Sequence, residues 1–253
     1  MPDPDRQIVA FYNLENFFDT LDDPEKDDND FIHYDSPDRR DIDVALLYDR
    51  NILTVLSHEK IKVVLDADEY FTTRDILYVK AAFEDDDVVH FFINHWPSRR
   101  EGTRKTMPKR IAAARSLYTK TSDILSSDPM AKIFIMGDFN DLPVSRSIIH
   151  TLKDEFYNLA LIPYRKKLGT VFAKGRWLMF DQMMISQGMM NAQGYSINAP
   201  RLTIHFDKKL LFYDKKRANY RPNRSYSGKK FHGGYSDHLP VFVTMEKIAF
   251  KAL

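Results

Sequence analysis

Ile133-Phe134-Ile135-Met136-Gly137-Asp138-Phe139-Asn140-Asp141-Leu142-Pro143 decides how the rest of this chain is read. Four apolar residues give a short buried-strand signal that stops at a glycine, and Asp138 and Asn140 follow two positions apart. In extended backbone, residues i and i+2 project from the same face. A carboxylate and a carboxamide are therefore expected to point into one spot at the strand's C-terminal end, which in layered α/β proteins is where ligands bind. An anionic oxygen beside a neutral amide suits a hard divalent cation or an attacking water. Gly137-Asp138-Phe139-Asn140 alone also describes a strand closed by an Asx turn, and the other strand ends of the chain decide between the two readings.

The pattern recurs. Ile8-Val9-Ala10-Phe11-Tyr12 is a strand signal that runs into Asn13-Leu14-Glu15-Asn16, with Asn13 and Glu15 two apart. Val88-Val89-His90-Phe91-Phe92-Ile93 runs into Asn94-His95-Trp96-Pro97-Ser98-Arg99-Arg100. Near the C-terminus the order is reversed, and Ser236-Asp237-His238 precedes the strand signal that starts at Val241. Asp181 stands inside the otherwise apolar run Leu178 to Ile185, where a buried carboxylate needs a His, Arg or metal partner.

Between these points, Ile42 to Tyr48, Ile61 to Leu65 and Ile76 to Phe83 read as strands, the last forming a hairpin with the strand at Val88. Thr103 to Leu125 has helical spacing, and Ser145 to Leu152 predicts a short helix. Gly169 to Phe172 and Leu178 to Ile185 read as a second hairpin. The acidic run Asp22 to Asp30 reads as a surface loop. The start of the long helix is basic (Arg99, Arg100, Arg104, Lys105, Lys109, Arg110), which fits either a solvated face or an anion-attracting rim. Lys215 to Lys230 interleaves cations with Tyr220 and Tyr226; this fits phosphate or nucleic-acid contact and an irregular surface loop equally.

Composition narrows the class. At 253 residues the chain can bury a large core, and one α/β domain over 1–253 is expected. A net charge of +1 gives no global attraction to nucleic acid, so basic character must be local. The absence of cysteine excludes disulfides, thiolate metal sites and a cysteine nucleophile, and leaves the compartment open. No apolar run has membrane-spanning length. The start, Met1 to Arg6, does not read as a signal peptide, and removal of one upstream would leave the periplasm or secretion open. A monomer is the default expectation. There is no G-x-S-x-G elbow for a serine hydrolase. What remains is an inventory of carboxylates, amides and two histidines, which favours Mg²⁺ or Mn²⁺ over structural zinc. It also supplies what metal-assisted phosphoester hydrolysis requires: an activated water and a donor for developing charge.

Five stretches together, Phe11 to Asn16, Asn94 to Ser98, Gly137 to Asp141, Phe180-Asp181-Gln182 and Ser236 to Val241, resemble in order the motifs of the endonuclease/exonuclease/phosphatase superfamily, which includes deoxyribonuclease I, apurinic endonucleases and sphingomyelinases. FYNLENFFD with NHWPSRR is most similar to a bacterial branch. The resemblance implies a four-layer α/β sandwich, two packed mixed β-sheets flanked by helices, and a divalent-metal-dependent phosphoesterase, nucleases among them. It implies Asn13, Glu15 and Asp237 at or beside the metal, Asp138 aligning or deprotonating water with Asn140 beside it, His238 stabilising phosphorane charge with Asp181 orienting it, and His95 contacting phosphate. Arg74 resembles an arginine that often precedes its strand; with Asn94 and Arg99 it completes the expected substrate-binding set. The family also places a helix and a strand ending in a metal-binding glutamate after the first motif. Here only the acidic loop and Phe31 to Pro37 occupy that interval, so a segment between about Asp22 and Ile32 is expected to be missing from the chain. A phosphate-binding module that has lost its metal glutamate is the competing expectation.

Overall fold

A computed structural model of the chain describes residues 5–14, 29–38, 42–83, 86–150, 152, 155–190, 193–216, 218–228 and 230–248. Glu15 and the acidic run 22–28 lie outside the described residues, as do Arg217 and Lys229.

In chain order the elements are β1 (Arg6–Phe11), β2 (Asn29–His33), β3 (Ala45–Asp49), β4 (Thr54–Ile61), β5 (Ile76–Ala82), β6 (Val88–His95), α1 (Thr103–Ser127), β7 (Lys132–Asp138), α2 (Arg146–Ile149), β8 (Phe156–Asn158) and α3 (Leu161–Arg165). They continue with β9 (Val171–Ala173), β10 (Arg176–Leu178), β11 (Asp181–Ser186), β12 (Gly194–Ser196), β13 (Thr203–Ile204), β14 (Leu211–Asp214), β15 (Asn219–Pro222), β16 (Tyr226–Ser227), β17 (Lys230–Phe231) and β18 (Val241–Ile248). One sheet has the order β4-β5-β6-β7-β11-β8; β6 and β7 run parallel and the other pairs antiparallel. The second is built on β18, which pairs antiparallel with β1, β12 and β13.

The period of two along the strands sorts side chains into two cores. Leu77, Val79, Phe91, Ile93, Phe134, Met136, Met183 and Ile185 share a cluster with Val241, Val243 and Met245 of β18, so this cluster lies between the sheets. Ile76, Tyr78, Phe92, Ile133, Ile135 and Met184 face the other way, onto Ala113, Ala114 and Leu117 of α1. Burying one such Leu, Ile, Phe or Met contributes roughly 1.5–3 kcal/mol. The central strands are apolar on both faces because a core lies on each side. Mixed sheet, antiparallel sheet and covering helix form the expected α/β sandwich.

Several expected boundaries move. The strand expected at Ile61–Leu65 lies earlier, as β4, whose residues are mostly exposed. It is an edge strand bonded on one side only, so it carries no apolar run to announce it. The expected hairpin of 169–172 with 178–185 divides in two: β9 pairs with β10, and β11 enters the large sheet between β7 and β8. The basic stretch 215–230, read either as a phosphate- or nucleic-acid-contacting segment or as an irregular loop, is ordered into parts of two hairpins, β14–β15 and β16–β17.

Candidate active site

Register builds the site. In the large sheet His95 lies opposite Asp138 across the parallel β6–β7 pair, and Asp181 lies opposite Asp138 across the antiparallel β7–β11 pair. Three neighbouring strands thus end in a row of His95, Asp138 and Asp181. In the other sheet Phe11 pairs with Val241, which places the residues after β1 and before β18 at one end. A bridge between Val171 of the β9–β10 hairpin and His238 ties the segment before β18 to the hairpin that leads into β11. Asn13 and His238 thereby meet Asp138, although they are separated by most of the chain.

Asp138 is the point of convergence. Its Oδ1 accepts from the Asn140 N–H at 2.8 Å, and its Oδ2 accepts from Asn140 Nδ2 and Asn13 Nδ2, each at 3.2 Å. His95 Nε2 lies 3.5 Å and His238 Nε2 3.8 Å from the same Oδ2. Asn140 holds a left-handed backbone (φ 47°), a conformation that asparagine tolerates better than most residues. Gly137 is needed for a close approach: a Cβ there would stand 2.1 Å from the Asn94 carbonyl oxygen.

Asp181 is fully buried, and its Oδ2 accepts from His238 Nδ1 at 2.7 Å and from the Thr170 hydroxyl. Its Oδ1 is buried with no hydrogen-bond partner. Burial alone would lower the His238 pKa, but the charges of Asp181 and Asp138 outweigh it and push it up to about 10. The ring is therefore a cation near neutrality, donating to Asp181 through Nδ1 and presenting Nε2–H towards Asp138. Burial raises the Asp138 carboxyl to about 6 against the pull of His238. Asp138, Asp181 and His238 each offer a ligand atom within 4.8 Å of the others, a grouping able to hold a metal ion.

Two of the three expected substrate-binding residues, Asn94 and Arg74, are internal, and the third, Arg99, is partly exposed. Asn94 is fully buried; its amide donates to Phe92 O and Met136 O and accepts from Trp96 Nε1, so none of it is available to a ligand. Arg74 is buried, donating from Nε to His95 O, from NH2 to Trp96 O and from NH1 to Asp38. Arg99 donates from Nε to Asn140 O at 2.6 Å and ion-pairs with Asp141. Each holds a backbone segment that carries the site. Trp96 is buried and edge-on to Phe139, a packing residue and not a stacking surface. Asp237 ion-pairs with Arg224, and its Oδ1 lies 3.8 Å from His238 Nε2.

Sequence reading did not single out the supporting shell. Asp141 accepts from Arg110 Nε at 2.7 Å and Ser147 Oγ at 2.6 Å as well as from Arg99, and its carbonyl accepts from Gln182. Arg110 has no exposed surface. The basic start of α1 thus divides: Arg110 faces inward, whereas Lys105 and Lys109 meet Glu101 near the surface. The legible signal was position. Arg110 shares one helical face with Ala113, Ala114, Leu117 and Thr121, and a cation on a buried face requires an anion.

A family model described as "Endonuclease/Exonuclease/phosphatase family" matches residues 30–247, and the chain belongs to that family. Family and site together define a hydrolase of phosphate esters with a candidate metal centre at Asp138, Asp181 and His238. Among solved structures, truncated Caenorhabditis elegans TDP2 is 17% identical with a TM-score of 0.55, over 86% of this chain and 75% of that one. A Bacteroides thetaiotaomicron mannosyl-6-phosphatase is 15% identical with a TM-score of 0.56, over 87% and 76%. The human Nocturnin catalytic domain with bound sulfate is 12% identical with a TM-score of 0.54, over 87% and 72%. These likenesses show the fold. No curated protein sequence matches significantly. Among the described residues no helix is long and apolar enough to cross a membrane.

Proposed function

We propose that this protein hydrolyses a phosphodiester or phosphomonoester by in-line attack of water, with Mg²⁺ as its natural cation and Mn²⁺ as a substitute. One observation carries the reading: two imidazoles and two side-chain amides brought from both sheets surround a single oxygen, Asp138 Oδ2. In this reading Asp138 takes the proton from the attacking water, and Asn13 and Asn140 fix the carboxylate that receives it. His95 contacts a non-bridging phosphate oxygen. His238 donates from Nε2 to the oxygens as negative charge builds, and Asp181 holds its ring through Nδ1. Buried Arg74 and Asn94 position these groups, whereas Arg99 holds Asn140 through its carbonyl and keeps an exposed part within reach of a phosphate.

The donor set suits a hard cation: it is rich in oxygen, contains no thiolate, and includes a buried Asp181 oxygen that lacks a hydrogen-bond donor. Asn13 and Asp237, together with Glu15 of the first motif, would hold the cation, which when bound supplies charge neutralisation on the phosphate. His238, protonated and tied to Asp181, is a poor ligand, so the carboxylate side of the Asp138–Asp181–His238 group is the better seat. Hydrolysis of bis(p-nitrophenyl) phosphate and p-nitrophenyl phosphate by metal-replete protein tests the reading. Turnover that EDTA abolishes and Mg²⁺ restores supports it. Phosphate binding without turnover of any ester would indicate a non-catalytic module instead.

We further infer that a helix–strand segment between about residues 22 and 32 is absent from this chain, which otherwise forms a single domain. Two features support this: Ile8 of β1 is 64% exposed, and β2 and β3 pair as a separate ribbon outside both sheets. An intact mass of the natural protein above 29.7 kDa is expected, and a mass equal to it would refute the inference.

A further inference from the structure

The lobe formed by residues 206–235 differs in kind from the rest of the molecule. It carries nine Lys and Arg against two Asp, in a chain whose overall charge is only +1. All seven of its aromatic side chains are exposed, from Phe212 at 40% to Phe231 at 63%. Elsewhere among the described residues, exposed rings are four and scattered: Phe31, Tyr70, Tyr118 and Tyr157. Folding normally buries aromatic surface, so a cluster left in water beside cations points to a partner with flat faces and negative charge.

The rings are arranged in pairs on short hairpins. Tyr213 and Tyr220 are cross-strand partners of β14 and β15, with centroids 5.2 Å apart, and Tyr226 and Phe231 repeat the arrangement across β16 and β17. The lobe is also joined to the reaction centre. Tyr235 N and Ser236 N donate to Asn223 O, Gly234 packs where a Cβ would stand 1.9 Å from that oxygen, and Arg224 ion-pairs with Asp237 beside His238. A cavity of about 530 Å³ opens at this junction, lined by Phe172, Phe212, Arg221, Arg224, His232 and Asp237. That volume is within the range of small-molecule sites, roughly 300–1,000 Å³, and admits one nucleotide unit. Arg221 is fixed in the cavity wall by Asp214 at 2.9 Å, with Phe172 and Phe212 against its guanidinium.

Resting on the hydrolase reading above, we propose that the 206–235 lobe is a platform for single-stranded nucleic acid: its rings stack on bases, its cations track the backbone, and the cavity seats the nucleotide next to the scissile phosphate. Single strands are favoured over duplex because stacking requires base faces that a duplex conceals. They are favoured over an anionic lipid surface because the rings stand on hairpins around a nucleotide-sized cavity and not along one apolar helical face.

The test is fluorescence anisotropy with a labelled 12-nucleotide single strand, its duplex, and phosphatidylserine vesicles, all in EDTA so that binding is read without cleavage. The expected result is tighter binding of the single strand than of the duplex or the vesicles, and affinity at least about tenfold weaker in Tyr213→Ala/Tyr220→Ala, with Tyr213→Phe/Tyr220→Phe recovering it. Should the alanine variant fail to fold, Lys208→Glu/Lys209→Glu should flatten the dependence of log Kd on log salt. Equal affinity in the alanine and parent proteins, preference for duplex, or binding to vesicles alone would overturn the platform. Hydrolysis of bis(p-nitrophenyl) phosphate by the parent protein reports separately on the reaction centre: if it persists while the single strand is not bound, the platform falls and the hydrolase reading stands.

Discussion

The ends of β6, β7 and β11 and the hairpins of the 206–235 lobe lie side by side but are made on opposite principles. At the strand ends the carboxylates are buried and held: Asp138 by Asn13 and Asn140, Asp181 by Thr170 and His238, and Asp141, in the loop after β7, by Arg99 and Arg110. In the lobe the rings are exposed and the strands are two to four residues long. Chemistry that needs atoms fixed within a fraction of an ångström belongs on the rigid sheet, and recognition of a partner belongs on loops that the core does not constrain. Substitutions in the two regions should therefore separate activity from stability in opposite ways.

The largest effect is expected at Asp138→Asn, which keeps the shape of the side chain and removes its basicity. Turnover should fall about 10²–10⁴-fold, with the melting temperature unchanged or raised because a buried charge is removed, as calorimetry would show. Asp141→Ala should instead cost stability, about 3–5 kcal/mol, because Arg110 would be left as an unpaired buried cation; urea unfolding measures this. Gly137→Ala forces its Cβ against the Asn94 carbonyl, and a loss of about 1–3 kcal/mol is expected together with reduced turnover.

Stability should also report His238. Its pKa is about 10 in the folded protein against 6.5 unfolded, so the native state holds one more proton between those values. Its contribution is complete below pH 6.5 and lost as pH rises through 10, with a slope approaching about 1.4 kcal/mol per pH unit in metal-free protein. His238→Gln should abolish that slope. Tyr226→Ala, on the lobe surface, should change stability by no more than about 0.5 kcal/mol.

How much of this was legible depended on where each residue's partners lie. The run from Ile133 to Asp138 announced a buried strand and its polar end because apolar content and the i, i+2 spacing are local properties. The convergence of Asn13, His95, Asp138 and His238 was legible because each stands at the edge of an apolar run, and Asp181 because a carboxylate inside such a run needs a partner. Edge strand β4 was misplaced because solvent covers much of its surface and leaves no pattern. Arg74 and Asn94 were assigned to substrate because residue type and nearness to a motif do not show that the side chain turns inward. Asp38, Thr170 and Asp141 carry no signature of their own, since their partners are set by packing between segments far apart in sequence.

The central claim is that Asp138 and the Asp181–His238 pair act on one reacting phosphate. A double-mutant cycle of Asp138→Asn and His238→Gln, assayed on bis(p-nitrophenyl) phosphate with saturating Mg²⁺, tests it most directly. Groups that work as a unit predict a double variant within about tenfold of the worse single variant. Rate losses that multiply would mean that the two side chains act independently, and would contradict the account.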